Sequence, residues 1–297
     1  MKYPIKKEFG IYRRFRAPVN AVTIRAAKVL LSVCHKGMRS SKSLTVEKKS
    51  IVSFDGKKFR LYVIIPVTRR EDAPVVLYLH GGGFVFKGAP YHYKLAREYA
   101  LRTQSVTVFA DYRLAFEKPR GATLSDCLYA YKYILSRAEE FCAHGVKICL
   151  AGDSAGGYLC LALANLCKEK GLPMPQKLML AYPAVDPLMR SASMRVFTDT
   201  PMWNSVSNRK MWKIYTGGGE AFCPLDGDLS GFPETYIETA EFDCLRDEGV
   251  ELFEKLEKSG VSCVLNQTRG TMHGFDIRMK APTAREAVKE RIKFLNS

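Results

Sequence analysis

No stretch of the chain approaches the roughly 18 uninterrupted apolar residues that a membrane-crossing helix requires, which argues against stable membrane insertion. Near the N-terminus, Arg25 and Lys28 interrupt the apolar residues, and the longest uncharged piece, Val29 to Cys34, is short for the core of a secretory signal. Cysteine spacing offers no metal site either. Cys34, Cys127, Cys142, Cys149, Cys160, Cys167, Cys223, Cys244 and Cys263 form no Cys-x-x-Cys pair and have no His at ligand spacing. Their odd number, and the apolar runs around Cys149, Cys160 and Cys263, indicate free thiols that behave as small hydrophobes in a reducing, cytoplasmic compartment. Internal repeats and low-complexity tracts are also lacking. With 47% hydrophobic and 26% charged residues over 297 positions, the composition is that of a soluble globular protein and excludes a fibre or a disordered polyelectrolyte.

Acids are scarce in one place. Met1 to Lys42 holds eleven Lys or Arg and a single acid, Glu8, whereas the remainder carries 35 basic and 29 acidic residues. The net charge of +16 is thus largely an N-terminal property, and no aromatic-plus-basic motif accompanies it to suggest nucleic acid.

Ile51 to Phe54 and Phe59 to Ile65, separated by Asp55-Gly56, predict a β-hairpin. Val75 to Leu79 is a short unbroken apolar run, as in a strand covered on both faces. Helical and strand patterns then alternate: helix 91–102, strand 105–110, helix 122–138, strand 146–150, helix 155–169 and strand 177–182. After a lapse, strand 234–239, helix 247–258, strand 261–267 and helix 283–295 follow. This order predicts an α/β fold with a mostly parallel sheet flanked by helices. The lapse at 187–225 reads as an insertion holding Trp203, Trp212, Met189, Met194, Met202 and Met211, which either fill a small core of their own or line a pocket.

Strand 146–150 runs into Gly152-Asp153-Ser154-Ala155-Gly156-Gly157 and then a helix. A Gly-x-Ser-x-Gly turn in that position presents its serine as a nucleophile, here Ser154. Serine needs a base. His35 lies in the basic arm, His92 and His144 stand in helix or loop contexts without evident partners, and His80 opens a glycine motif. That leaves His273, after the last strand, and the chain order Ser, acid, His suits it. Strand 234–239 delivers the acid, with Asp243 the first choice and Glu241 a weaker rival; Asp247 and Glu248 read as first-turn acids on a helix dipole. His80-Gly81-Gly82-Gly83-Phe84 follows the central strand, so the N–H groups of Gly82, Gly83 and Ala155 are the candidate oxyanion donors. No Gly-Lys-Ser/Thr follows to make it a phosphate cradle, and Gly217-Gly218-Gly219 has no strand before it and reads as a loop. Phe84, Asp153, Trp203, Met211 and Trp212 are candidate substrate contacts. Neither a cofactor nor a metal is needed.

Together His80 to Phe84, Asp111-Tyr112-Arg113-Leu114-Ala115, Gly152 to Gly157, Tyr182-Pro183 with Asp186, Asp243 to Asp247 and His273-Gly274-Phe275 resemble the hormone-sensitive-lipase-like family of α/β-hydrolase esterases, over about 74–297. The resemblance implies an eight-stranded sheet, a cap made of segment 1–48 and insertion 187–225 on a core of 49–186 and 226–297, and hydrolysis of small carboxylic esters with short to medium acyl chains. It also leaves room for a homodimer through an edge strand near 261–267. Where the family continues Ala-Pro-Glu-His, this chain has Ala115-Phe116-Glu117-Lys118, and the following proline-rich stretch is reduced to Lys118-Pro119-Arg120-Gly121-Ala122, which bears on substrate preference. Two rivals stand beside the esterase: a deacetylase or amidase acting on acetylated sugars or xenobiotics, and a non-catalytic receptor like the gibberellin receptors, which lack the catalytic His that is present here as His273. In the cap, Arg13, Arg14, Arg16, Arg25 and Lys28 are expected on the solvated face, with Phe15, Val29 and Leu30 turned toward the pocket.

Overall fold

A computed structural model describes residues 2–16, 18–33, 38–117, 119–141 and 147–297; Cys34, His35, Lys118, Cys142 and His144 lie outside them. Helix α1 (Ala21–Val33) precedes the hairpin of β1 (Leu44–Val52) and β2 (Lys58–Pro66). Then come β3 (Val75–Leu79), α2 (Pro90–Thr103), β4 (Thr107–Asp111), α3 (Ala122–Leu135), α4 (Ala138–Phe141), β5 (Ile148–Asp153), α5 (Ala155–Glu169) and β6 (Lys177–Ala181). The chain continues through α6 (Ala192–Val196), α7 (Ser205–Thr216), β7 (Glu234–Phe242), α8 (Arg246–Lys258), β8 (Cys263–Met272) and α9 (Pro282–Asn296). The strand at the start begins at Leu44, inside the segment expected as cap up to residue 48, because Leu44 to Val52 pair along their whole length with Pro66 to Lys58. The helix expected over 122–138 is two helices, the first ending at Leu135.

The eight strands form one sheet in the order β1-β2-β4-β3-β5-β6-β7-β8. β2 is antiparallel to β1 and β4, and every other pairing is parallel. β3, β4, β5 and β6 are buried at every position, which is why β3 reads as an unbroken apolar run and the other three are apolar except at their ends. Side chains alternate between two cores. Leu61, Val63, Leu77 and Leu150 pack with α3, α5 and α8, while Tyr62, Ile64, Tyr78 and Phe109 pack with α2 and α9.

The N-terminal arm and the 187–225 insertion meet around one acid. Asp199 accepts from Lys2 Nζ at 2.8 Å and from the Tyr3 hydroxyl at 2.5 Å, its carbonyl accepts from Arg16 Nε at 2.8 Å, and the Met202 N–H donates to Phe15 O at 2.7 Å. Phe15, Val29 and Leu30 do not turn inward as expected: all three side chains are exposed, and Ile24 of α1 packs on the core.

Candidate active site

β5 ends at Asp153 and α5 starts at Ala155, so a single residue turns the chain between them. Ser154 does so at φ 55°, ψ −120°, a strained conformation for a residue with a β-carbon. Its N–H donates to Ala181 O at 2.9 Å, and its carbonyl accepts from the N–H groups of Gly157 and Ala184, both at 3.0 Å. The turn closes only because of glycine: a β-carbon on Gly156 would lie 1.9 Å from Leu79 O, so α5 rests directly on the end of β3. This packing sets the serine beside the glycine loop that leaves β3.

β8 runs on to Met272, five residues past its expected end, and presents His273 over the serine. His273 Nε2 is 2.9 Å from Ser154 Oγ, and Nδ1 is 2.7 Å from Asp243 Oδ2. Asp243 is fully buried, and its Oδ1 accepts the Leu245 N–H at 3.0 Å. With Nδ1–H held by a carboxylate, Nε2 carries the lone pair that can take the serine proton. Glu241 lies elsewhere, accepting the Gly270 N–H at 2.6 Å. Asp247 accepts the Ser193 N–H at 2.7 Å. Glu248 is more than a helix-dipole acid: it is fully buried, accepts the Val185 N–H at 2.6 Å through Oε1, and has no donor on Oε2 among the described residues. Burial first, and then the charges of Asp186 and Asp243, push its carboxyl well above the ordinary range.

The glycine loop is pinned from below. Gly81 N–H donates to Asp153 Oδ2 at 3.1 Å, Tyr78 OH donates to Asp153 Oδ1 at 2.7 Å, and His92 Nε2 lies 3.1 Å from Oδ2. His92 therefore has the partner that sequence reading missed, and its Nδ1 accepts the Ala89 N–H at 2.8 Å, which leaves Nε2–H to face Asp153. Burial pushes the Asp153 carboxyl up, but the His92 ring and the Tyr78 hydroxyl outweigh it and hold the group below its ordinary value. Beside them His80 stacks between Tyr112 and Phe109, with centroids at 4.3 and 5.4 Å, and donates from Nδ1 to Gly81 O at 2.6 Å. Its burial lowers the imidazole pKa to about 3 and keeps the ring neutral.

Within this loop the Gly82 carbonyl accepts from the N–H groups of Val85 and Phe86, at 3.1 and 2.9 Å. By contrast, the N–H groups of Gly82, Gly83 and Ala155 donate to no acceptor among the described residues. Three donors left over beside a serine–histidine pair are what a developing oxyanion needs. Gly83 adopts φ 59° and lies under the insertion: a β-carbon there would be 2.7 Å from Trp203 Cη2 and 3.3 Å from Met211 Cγ. The Trp203 ring is also 6.1 Å from that of His273.

The other candidate contacts have partners of their own. Asp153 faces the underside of the loop. Phe84 is fully buried in an aromatic cluster, 4.1 Å from Tyr215, 5.6 Å from Trp212 and 5.7 Å from Tyr158. Trp212 belongs to the same cluster, 4.9 Å from Tyr158. Behind His273, Tyr182 stands edge-on at 4.9 Å and anchors to a buried ion cluster in which Arg291 holds Asp276 at 2.6 Å and Glu238 at 2.5 Å. No motif marks Arg291; only an arginine on the inner face of an otherwise apolar helix stripe could have signalled it.

Comparison with known proteins gives the same picture. A sequence profile of the α/β-hydrolase fold matches residues 76–277. Carboxylesterase NlhH of Mycobacterium tuberculosis is 33% identical over 258 residues, spanning 82% of this chain and 80% of its own. Hormone-sensitive lipase of Bos taurus is 33% identical over 138 residues, which cover 46% of this chain and 18% of that protein. Among solved structures, a bacterial heroin esterase superposes with a TM-score of 0.84 at 27% identity, covering 100% of this chain and 98% of that one.

Proposed function

The chain belongs to the α/β-hydrolase fold family, in its hormone-sensitive-lipase-like group, and we propose that it is a serine carboxylesterase whose acyl-enzyme forms on Ser154. Ser154 Oγ attacks the ester carbonyl carbon while His273 Nε2 takes its proton, and Asp243 stabilises the imidazolium. The N–H groups of Gly82, Gly83 and Ala155 receive the carbonyl oxygen as it becomes an oxyanion. Collapse of the tetrahedral intermediate expels the alkoxide, which is protonated by His273. Water, deprotonated by the same nitrogen, then attacks the acyl-enzyme, and the carboxylic acid leaves from Ser154.

The observation that carries this reading is the unbroken run Ser154–His273–Asp243, at 2.9 and 2.7 Å, next to three uncommitted backbone donors. Substrates are small esters with short to medium acyl groups, in keeping with the indole and thioether that crowd Gly83. The N-terminal residues before β1 and residues 187–225 serve as the cap, a role supported by their junction at Asp199. Seven free cysteines among the described residues suit a reducing, cytoplasmic location, and the edge position of β8 suits a homodimer.

Ser154→Ala tests the reading. The variant should keep its circular dichroism spectrum, lose labelling by a fluorophosphonate probe, and fail to hydrolyse p-nitrophenyl acetate or butyrate. Undiminished turnover would overturn the assignment, and a folded wild-type protein inert to both esters and probe would favour the receptor.

A further inference from the structure

Helix α1 is apolar on both of its faces. Ile24 packs on the core, and Ala27 and Leu31 are half-buried beside it. On the opposite side Val22, Ala26, Val29 and Leu30, spaced by four, three and one residues, form a second stripe in solvent, with Val22 78%, Val29 69% and Leu30 67% exposed. One apolar stripe suffices to seat a surface helix on a core, and the second faces water.

The N-terminal segment that carries it is basic, with eleven Lys or Arg and one acid from Met1 to Lys42. The helix contains no acid, and Arg25 stands within the outer stripe. Lys28 is committed to Glu117 at 3.0 Å, and Lys2 to Asp199 at 2.8 Å. Arg13, Arg14, Arg16 and Arg25 form no ion pair with any described acid, although Arg13 donates to Gly10 O and Ile5 O and Arg16 to Asp199 O. In the same arm Ile11 is 76% exposed and Phe15 49%.

We propose that the outer face of α1 docks onto an anionic lipid bilayer, lying in the interface with Val22, Val29 and Leu30 among the acyl chains and the arginines against the headgroups. An apolar stripe and a basic surround are the two signals that reversible interfacial binding needs, and neither alone is enough. A bilayer fits this chemistry better than a second copy, since two such basic faces would repel each other. Among the described residues no helix is long and apolar enough to cross a membrane, so the chain would lie on the surface. The inference stands apart from the hydrolytic reading, because its test reads binding.

Sedimentation of the full-length protein with vesicles provides that test. At low salt it should partition onto phosphatidylglycerol-containing phosphatidylcholine vesicles about tenfold more than onto phosphatidylcholine alone, and high salt should reverse the gain. Val22→Glu combined with Leu30→Glu should lower binding by a further factor of about ten or more, Arg25→Glu by less, and p-nitrophenyl acetate turnover without vesicles should be unchanged. Equal binding by wild type and the Val22/Leu30 variant, or none by wild type, would overturn the proposal. So would a concentration-dependent dimer in analytical ultracentrifugation that the same two substitutions split, since that would assign the face to a second copy.

Discussion

The Tyr182 hydroxyl donates to Asp276 Oδ1 at 2.5 Å while its ring stands edge-on to the His273 imidazole, 4.9 Å between centroids. One side chain thereby joins the histidine to the buried Arg291 cluster, in which Asp276 and Glu238 share one guanidinium. A buried charge costs several kcal/mol unless paired, so this cluster is held together as a unit. Tyr182→Phe keeps the ring against His273 and removes one donor from Asp276. Urea unfolding should show a loss of about 1–3 kcal/mol, while kcat on p-nitrophenyl acetate should change only a few-fold.

Asp243→Asn is the sharper test of how the acid holds the imidazole. The Asn amide can donate to Nδ1, which forces the proton onto Nε2 and leaves no lone pair facing Ser154. A fall in kcat of roughly 10³–10⁴-fold with an unchanged fold is expected. Steady-state kinetics within tenfold of wild type would remove Asp243 from its assigned role.

Gly83→Ala places a β-carbon 2.7 Å from Trp203 Cη2 at a φ of 59°, and thereby displaces one of the N–H groups proposed to receive the oxyanion. Turnover should drop by roughly 10²–10³-fold with little change in KM. Adding Trp203→Ala relieves the contact with the indole but not the backbone strain, so the double variant should recover part of the loss in kcat.

Glu248 makes stability depend on pH in a direction opposite to that of a paired surface acid. Its folded pKa lies above that of the unfolded chain, at about 4.3 for a free Glu, so the folded state holds the proton more tightly. Stability from this group is complete below the unfolded value and is lost as pH rises toward the folded one. Glu248→Gln keeps an acceptor for the Val185 N–H without the charge. Its urea midpoint should match wild type near pH 4 and exceed it at pH 8; the reverse order would show Glu248 to be ionised and stabilising.

Much of the fold was legible in the chain because two periods, the alternation of strands and the 3.6-residue repeat of helices, report burial directly. Val75 to Leu79 reads as a covered strand because it is buried at every position. The helices after it can be read in the same way. Boundaries were less legible, since an end is decided by what the next element touches. β8 continues to Met272 through its pairing with β7, across a bulge near Phe242, and nothing local in Gln267 to Met272 announces this.

The candidate site divides along the same line. Sequence alone determined the strand–Ser–helix turn at Ser154 and the three-glycine loop after β3, because each depends on residue type within a few positions, and the chain order favoured His273 and, ahead of Glu241, Asp243. Only tertiary structure decided what those residues meet. Ser154 and His273, 119 positions apart, touch because β5 and β8 end on the same side of one sheet. Asp153 and His92 look like a substrate contact and a lone histidine, yet they combine beneath the glycine loop. Val29 and Leu30 face solvent where the sequence suggested a pocket. In each case the deciding quantity is the direction of a side chain relative to elements far away in sequence, and no local pattern encodes it.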